Sequence, residues 1–248
     1  VENLPDIKTE SEEEVDLPPM LLDKWKKEQR LEKELKELDE FFEETGYPRA
    51  PKYYIIKWIT DYIKKYGISA YRIDTAKHTE EDVWEILRRE ADKAYRQWKS
   101  ENPDIKPLNE SFYMVGEVYN YVVSSGRNFD FGDTVVDFYA EGIDHLINFE
   151  FKSDANKGYE EIFSKYSHIL HNDLADNGVM NYISSHDDGW PLDKFRENPI
   201  ESATKLLLCP GAVQIYYGDE SSRVLNAGGA SGDANLRSFM NWDEITEN

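Results

Sequence analysis

The stretch Ala70-Tyr-Arg-Ile-Asp-Thr-Ala-Lys-His78 runs from an alternating apolar segment into a polar turn and leaves Arg72 and Asp74 two positions apart. Along a strand that spacing puts both side chains on one face. A guanidinium beside a carboxylate holds it ionised and fixes its direction, as a carboxylate nucleophile requires. An ordinary Arg/Asp pair closing a strand would look the same, so the weight falls on what the other strand ends carry. Glu117 closes the apolar run 112–117, and Glu150 lies in the alternating run 144–151. His186, Asp187 and Asp188 follow the run 179–184, and Asp219 with Glu220 follows 212–217.

The elements that must position these groups are legible from periodicity. Strands are predicted over 68–74, 112–117, 144–151, 179–184 and 212–217. A helix over 53–66 turns Ile55, Ile56, Ile59, Tyr62 and Ile63 inward and stops at Gly67. A long helix follows Thr79-Glu-Glu-Asp82, read as a capping box, and a further helix covers 158–171. Asn198-Pro-Ile-Glu201 starts another, which Pro210-Gly211 ends. Strand, helix and strand repeated in this way imply a parallel sheet with right-handed crossovers. An open doubly wound sheet and an incomplete (β/α)8 barrel both fit, and no glycine-rich phosphate loop favours the first. In either fold the functional groups gather at the carboxyl ends of the strands.

Several carboxylates facing one cleft raise at least one pKa, so that one group stays protonated while another stays ionised. Two carboxyls in such split states are what glycoside hydrolysis uses. The serines of Ile183-Ser-Ser-His186 lack the flanking glycines of a nucleophile elbow, and no His-Glu-x-x-His pattern is present. Tyr119, Tyr121 and Trp190 follow strand ends and offer rings for stacking on sugars, although packing explains each equally well. Asp130 and Asp133, beside Gly126 and Gly132, read as a solvated turn rather than a metal site.

Composition narrows the partners. Fifty acidic residues against 29 basic ones give a formal charge of -21, which argues against nucleic acid and anionic membrane and points to a neutral substrate. The same acidity is compatible with bound Ca²⁺. A single cysteine, Cys209, excludes an internal disulfide and reads as a core residue. Residues 1–19 read as a loop broken by Pro5, Pro18 and Pro19. A highly charged helix is expected over 20–44, part of a helical insertion over 12–52 on the surface of one α/β domain that takes in residues 1–248.

Tyr71-Arg-Ile-Asp-Thr-Ala-Lys-His78, Gly116-Glu-Val118, Ile183-Ser-Ser-His-Asp187 and Leu4-Pro-Asp6 resemble, in order, four conserved segments of the α-amylase family of retaining glycoside hydrolases. Pro210-Gly-Ala-Val-Gln-Ile-Tyr-Tyr-Gly-Asp-Glu220 is similar to that family's eighth barrel strand, and Arg237-Ser-Phe-Met-Asn-Trp242 to its periplasmic members in Gram-negative bacteria. The resemblance implies an α/β fold made of strands four to eight of a (β/α)8 barrel, with the charged helix inserted ahead of them. It implies Asp74 as nucleophile, Glu117 as general acid and base, and Asp187 as the group that grips the sugar hydroxyls. Arg72 would orient the nucleophile, while Lys77, His78, His186 and Tyr119 would line the substrate. Asp6 and the main-chain carbonyl of His78 correspond to calcium ligands.

The substrate implied is an α-1,4-glucan, starch or maltodextrin, in the periplasm or outside the cell. A transglycosylase would use the same carboxylates. A catalytically silent carbohydrate-binding protein is the alternative from another class. The family's first conserved segment and its C-terminal β domain have no counterpart here, so a longer parent chain is expected to supply barrel strands one to three and that domain.

Overall fold

Residues 7–246 are described by a computed structural model of the chain, and they divide into two compact units. One runs up to Tyr71 and takes up again over His78–Tyr113; the other holds Arg72–Lys77 and the chain from Met114 onward.

The first unit is helical. Its helices are α1 (Pro19–Lys27), α2 (Leu31–Thr45), α3 (Pro51–Tyr66) and α4 (Glu81–Glu101). The single charged helix expected over 20–44 is two helices, because Gln29 turns into the left-handed region with φ 57° and the Arg30 N–H closes on the Trp25 carbonyl at 3.0 Å. Trp25 is thereby buried, with its ring edge-on to Trp58 at 6.4 Å. Of the predicted stripe on α2, Leu38 and Phe42 are buried while Leu35 is not. On α3, Ile56 and Ile63 face inward as expected, but Tyr62 is 56% exposed and points out. The i, i+4 partner Tyr66 lies on the same outer stripe.

Helix α3 ends at Gly67, whose φ of 68° suits glycine and whose face is pressed by the Trp98 ring, 2.2 Å from where a Cβ would stand. The capping box expected at Thr79 is absent: α4 starts after Glu80 without a side-chain cap, and Glu80 instead accepts from Thr9 Oγ1 at 2.5 Å. An Asp at the third position is too short to reach back as Glu does.

The strands are β1 (Ala70–Ile73), β2 (Tyr113–Gly116), β3 (Phe129–Asp130), β4 (Val135–Val136), β5 (His145–Asn148), β6 (Gly178–Asn181) and β7 (Ala212–Val213). Between and after them lie α5 (Phe151–Asp154), α6 (Tyr159–His171), α7 (Pro199–Leu208) and α8 (Trp242–Thr246). Five strands form one sheet in the order β1-β2-β5-β6-β7. The registers pair Gly116 with Leu146, Leu146 with Val179 and Met180 with Ala212, all parallel. Successive large strands are neighbours throughout, which makes this a partial (β/α)8 barrel rather than a doubly wound sheet. Met114, Leu146 and Val179 are fully buried, as strands covered on both faces require.

Each strand is shorter than its apolar run, for a local reason. Beyond Val213 the Tyr216 N–H is taken by the Asp219 carboxylate at 3.1 Å, so the chain turns out of the ladder. Past Asn148, the Glu150 carbonyl accepts from Ser153 and Asp154 and opens α5. The Ile183 carbonyl is claimed by Leu192 at 2.8 Å. The antiparallel pair β3–β4 frames the turn at Asp130, whose Oδ1 accepts the Gly132 N–H at 2.7 Å. Cys209 is buried after α7, which starts at Pro199 behind Asn198 although the Asn side chain makes no cap bond.

Candidate active site

At the end of β1 the Arg72 guanidinium contacts Asp74 with Nη1 and reaches Glu117 Oε2 with Nη2 at 3.3 Å. One cation thus spans two carboxyls from adjacent strand ends. Their surroundings differ: the Asp74 side chain is 63% exposed and that of Glu117 only 8%. Glu117 is fixed further by the Thr75 N–H, which donates to Oε2 at 3.0 Å. Thr75 makes that bond with φ 47°, a left-handed conformation that costs a β-branched residue about 1–3 kcal/mol and is found where a site over-determines its backbone. Main-chain bonds lock the two ends in register, Glu117 N–H to the Ile73 carbonyl and Ala76 N–H to the Glu117 carbonyl, both 2.8 Å.

Lys77 lies one turn beyond. Its ammonium donates to the Tyr119 carbonyl at 3.0 Å and stands 5.3 Å from the ring centroids of Tyr119 and Phe129. The Tyr119 ring is half-exposed and edge-on to Phe149 at 5.3 Å. Phe149 in turn meets Tyr182 at 5.8 Å.

Beyond β6, Asp187 accepts from Ser185 Oγ at 2.9 Å and lies 3.2 Å from His186 Nε2. The His186 carbonyl is held by Arg237 Nε at 3.0 Å. Tyr182, buried behind this loop, donates its hydroxyl to Asp188 at 2.6 Å. That hydroxyl is pushed upward from its ordinary pKa by burial and then by the negative charges of Asp187 and Glu117. Lys152 contacts Asp188 as well. Burial pushes its ammonium down to about 8, and the Asp187 charge opposes this.

Arg72, Asp74, Lys77, Glu117, Tyr119, His186 and Asp187 all belong to the second unit. His78 falls in the other, and Asp6 lies outside the described residues. Among the described residues no three His, Cys, Asp or Glu side chains group as a metal cluster. Tyr121 is wholly buried, its hydroxyl donating to the Gly126 carbonyl at 2.7 Å, and is a packing residue; Trp190 is 87% exposed.

Sequence reasoning missed Tyr182, Ser185, Lys152 and Arg237. It also missed the buried pair Arg196–Asp219, 2.5 Å apart, whose Asp219 Oδ1 accepts from Ser184 Oγ at 2.5 Å. Only Ser185 carried a local signal, two positions before the aspartate it caps.

No family model matches the chain. A periplasmic α-amylase of Escherichia coli is 35% identical over 246 residues, which is 98% of this chain and 32% of that protein. A cyclomaltodextrinase from a Bacillus species is 26% identical over 202 residues, 78% of this chain and 31% of its own length. The chain thus spans about a third of the length of these relatives. Among solved structures, a pullulanase from Anoxybacillus superposes with a TM-score of 0.54 at 16% identity, covering 82% of this chain and 32% of that one. An α-amylase from Geobacillus thermoleovorans in complex with acarbose gives 0.52 at 19%, covering 79% and 42%. These two likenesses speak to the fold. The periplasmic enzyme, matched along 98% of this chain, supports its membership of the α-amylase family.

Proposed function

We propose that this chain carries the reacting carboxyls of a retaining glycoside hydrolase that cleaves α-1,4-glucosidic bonds of starch or maltodextrin, acting within a longer polypeptide in the periplasm or outside the cell. The observation that supports it best is the shared arginine: Asp74, open to solvent, and Glu117, largely dry, lie on either side of Arg72.

In the proposed reaction Glu117 donates its proton to the glycosidic oxygen as Asp74 attacks the anomeric carbon. The C–O bond breaks and a glycosyl ester on Asp74 forms. The ionised Glu117 then takes a proton from water, whose oxygen attacks the same carbon and releases Asp74. Asp187, oriented by Ser185 and His186, accepts hydrogen bonds from ring hydroxyls and gains strength as the ring flattens. Lys77 and Tyr119 line the approach, and Arg72 keeps Asp74 aimed. A calcium ion on Asp6 and the His78 main-chain carbonyl belongs to the proposal through the sequence resemblance alone.

The test is Asp74→Asn in the polypeptide that carries this chain, assayed on soluble starch with NMR of the first product released. The parent is expected to release the α-anomer, and the variant to lose activity by about 10³-fold or more. A β-anomer from the parent, or full activity in the variant, overturns the reading.

A further inference from the structure

Residues 186–190, beyond β6, form neither helix nor strand, and His186, Asp187, Gly189 and Trp190 are exposed. Asp188 is the exception, with a side chain only 12% exposed. Its Oδ2 accepts from the Tyr182 hydroxyl at 2.6 Å and from the Lys152 ammonium, and its Oδ1 accepts the Trp190 N–H at 3.1 Å. A carboxylate this far out of water needs a cation beside it, and Lys152, itself 13% exposed, supplies one.

Lys152 comes from the neighbouring strand end. It stands in α5 next to the fully buried Phe151, and its ammonium lies 5.3 Å from the Tyr182 ring centroid. That ring is set in turn by Phe149, edge-on at 5.8 Å. The ends of β5 and β6 are thus joined by side chains as well as by the ladder. Asp187, the next residue back along the chain, has a side chain 37% exposed, and its own contacts, Ser185 and His186, belong to the same loop. Arg237 steadies the His186 carbonyl, but from an exposed position. What fastens this loop to the interior by a side chain is Asp188.

We infer that Lys152 and Tyr182 are positioning residues for the hydrolysis proposed above: they hold Asp188 as an inward peg, and the peg sets where the Asp187 carboxylate stands. This rests on the reading of Asp187 as the group that grips the sugar more strongly as its ring flattens. Moving such a group weakens the transition state more than the bound substrate, so the loss falls on kcat rather than on KM. A displacement of about 1 Å is enough to cost about 10²-fold. An ion pair with a structural role alone behaves differently, because its removal lowers stability and leaves the kcat of the folded molecules as it was.

The test is starch kinetics in the polypeptide that carries this chain, with urea midpoints measured beside them. Lys152→Met is expected to lower kcat at least about tenfold with KM within about threefold of the parent, and Lys152→Arg, which keeps a cation for Asp188, to stay within about threefold in both. Tyr182→Phe, which removes one of the three bonds to Asp188, is expected to lower kcat about two- to fivefold. Lys152→Met strands a carboxylate and so threatens folding; adding Asp188→Asn takes that charge away. In the double variant the urea midpoint is expected to return toward the parent while kcat stays at least about tenfold low. Recovery of kcat together with stability makes the pair structural and overturns the inference, as does unchanged kcat in both Lys152→Met and Tyr182→Phe. A rise in KM with kcat kept means that Lys152 touches the substrate itself, and overturns it too. A parent inactive on starch overturns the catalytic reading and this inference with it, whereas an active parent with indifferent Lys152 and Tyr182 variants sinks the inference alone.

Discussion

At the ends of β1 and β2 one arginine serves two carboxyls in partial contact with water, whereas at the ends of β6 and β7 another serves one carboxylate out of water. The Arg72 side chain is 36% exposed and its partner Asp74 63%; Arg196 and Asp219 are 4% and 5%. An exposed cation can exchange partners as a ligand arrives, and an exposed carboxylate is free to react. A buried pair cannot be traded without leaving a charge unpaired. Arg196 also donates through Nε to the Arg223 carbonyl at 2.8 Å, and Asp219 holds Ser184 and the Tyr216 N–H. The second arrangement therefore fastens the two loops beside Asp187, while the first offers its carboxyls to chemistry.

The comparison breaks most visibly at Glu117. Glu117→Gln keeps the bond from Thr75 but has no proton to give, so kcat/KM on starch should fall by about 10²–10⁴-fold with the urea midpoint nearly unmoved. A large loss of stability with it would make Glu117 a structural carboxyl like Asp219. Next in size is Arg196→Met, which strands Asp219 in the interior and should cost about 3–5 kcal/mol in urea unfolding. Arg72→Met, at the wetter site, should cost less than about 1 kcal/mol. Equal losses in the two variants would erase the distinction.

This difference also marks what was legible beforehand. Arg72 and Asp74 share a strand, and a period of two is enough to put them together. Glu117 and Asp187 were reached because strand ends of a parallel sheet converge, a rule of topology rather than of neighbours. Arg196 meets Asp219 from 23 residues away across irregular chain, where no periodicity exists to be read. The same limit explains Lys152, which reaches Asp188 from the start of α5, and the buried 2.9 Å hydrogen bond from Asn148 Nδ2 to Asn181 Oδ1 that ties β5 to β6. The helical layer failed differently: its apolar spacing was seen, but one left-handed glutamine divided a helix that charge patterning made look continuous.

A smaller effect sharpens the contrast in backbone terms. Thr75 holds φ 47° at the water-facing site so that its N–H can reach Glu117. Thr75→Gly should relieve that conformation and raise stability by about 1 kcal/mol, part of which glycine's freedom in the unfolded chain takes back. Activity should fall modestly, since Glu117 would be less firmly aimed. A thermal melt together with starch kinetics separates the two. Unchanged stability would mean that the turn, not the site, selects the conformation.

Between the two extremes lies the end of β5, where Lys165 bridges Glu150 and Asp154 at 2.6 Å each and Lys157 adds a contact to Asp154 at 2.9 Å. Burial pushes the Asp154 carboxyl up, but Lys165 and Lys157 outweigh it and leave the pKa below its ordinary value. A carboxyl whose pKa is lower folded than unfolded adds stability that is complete above the unfolded value of about 3.9 and is lost as pH falls through the folded one. Urea midpoints taken from about pH 5 down to pH 2 should therefore drop more steeply for the parent than for Asp154→Asn, the two curves converging at the acid end. Parallel curves would mean that the two lysines hold Asp154 no better in the folded chain than in the unfolded one. The β5 end would then behave like the exposed Arg72 site, despite its burial.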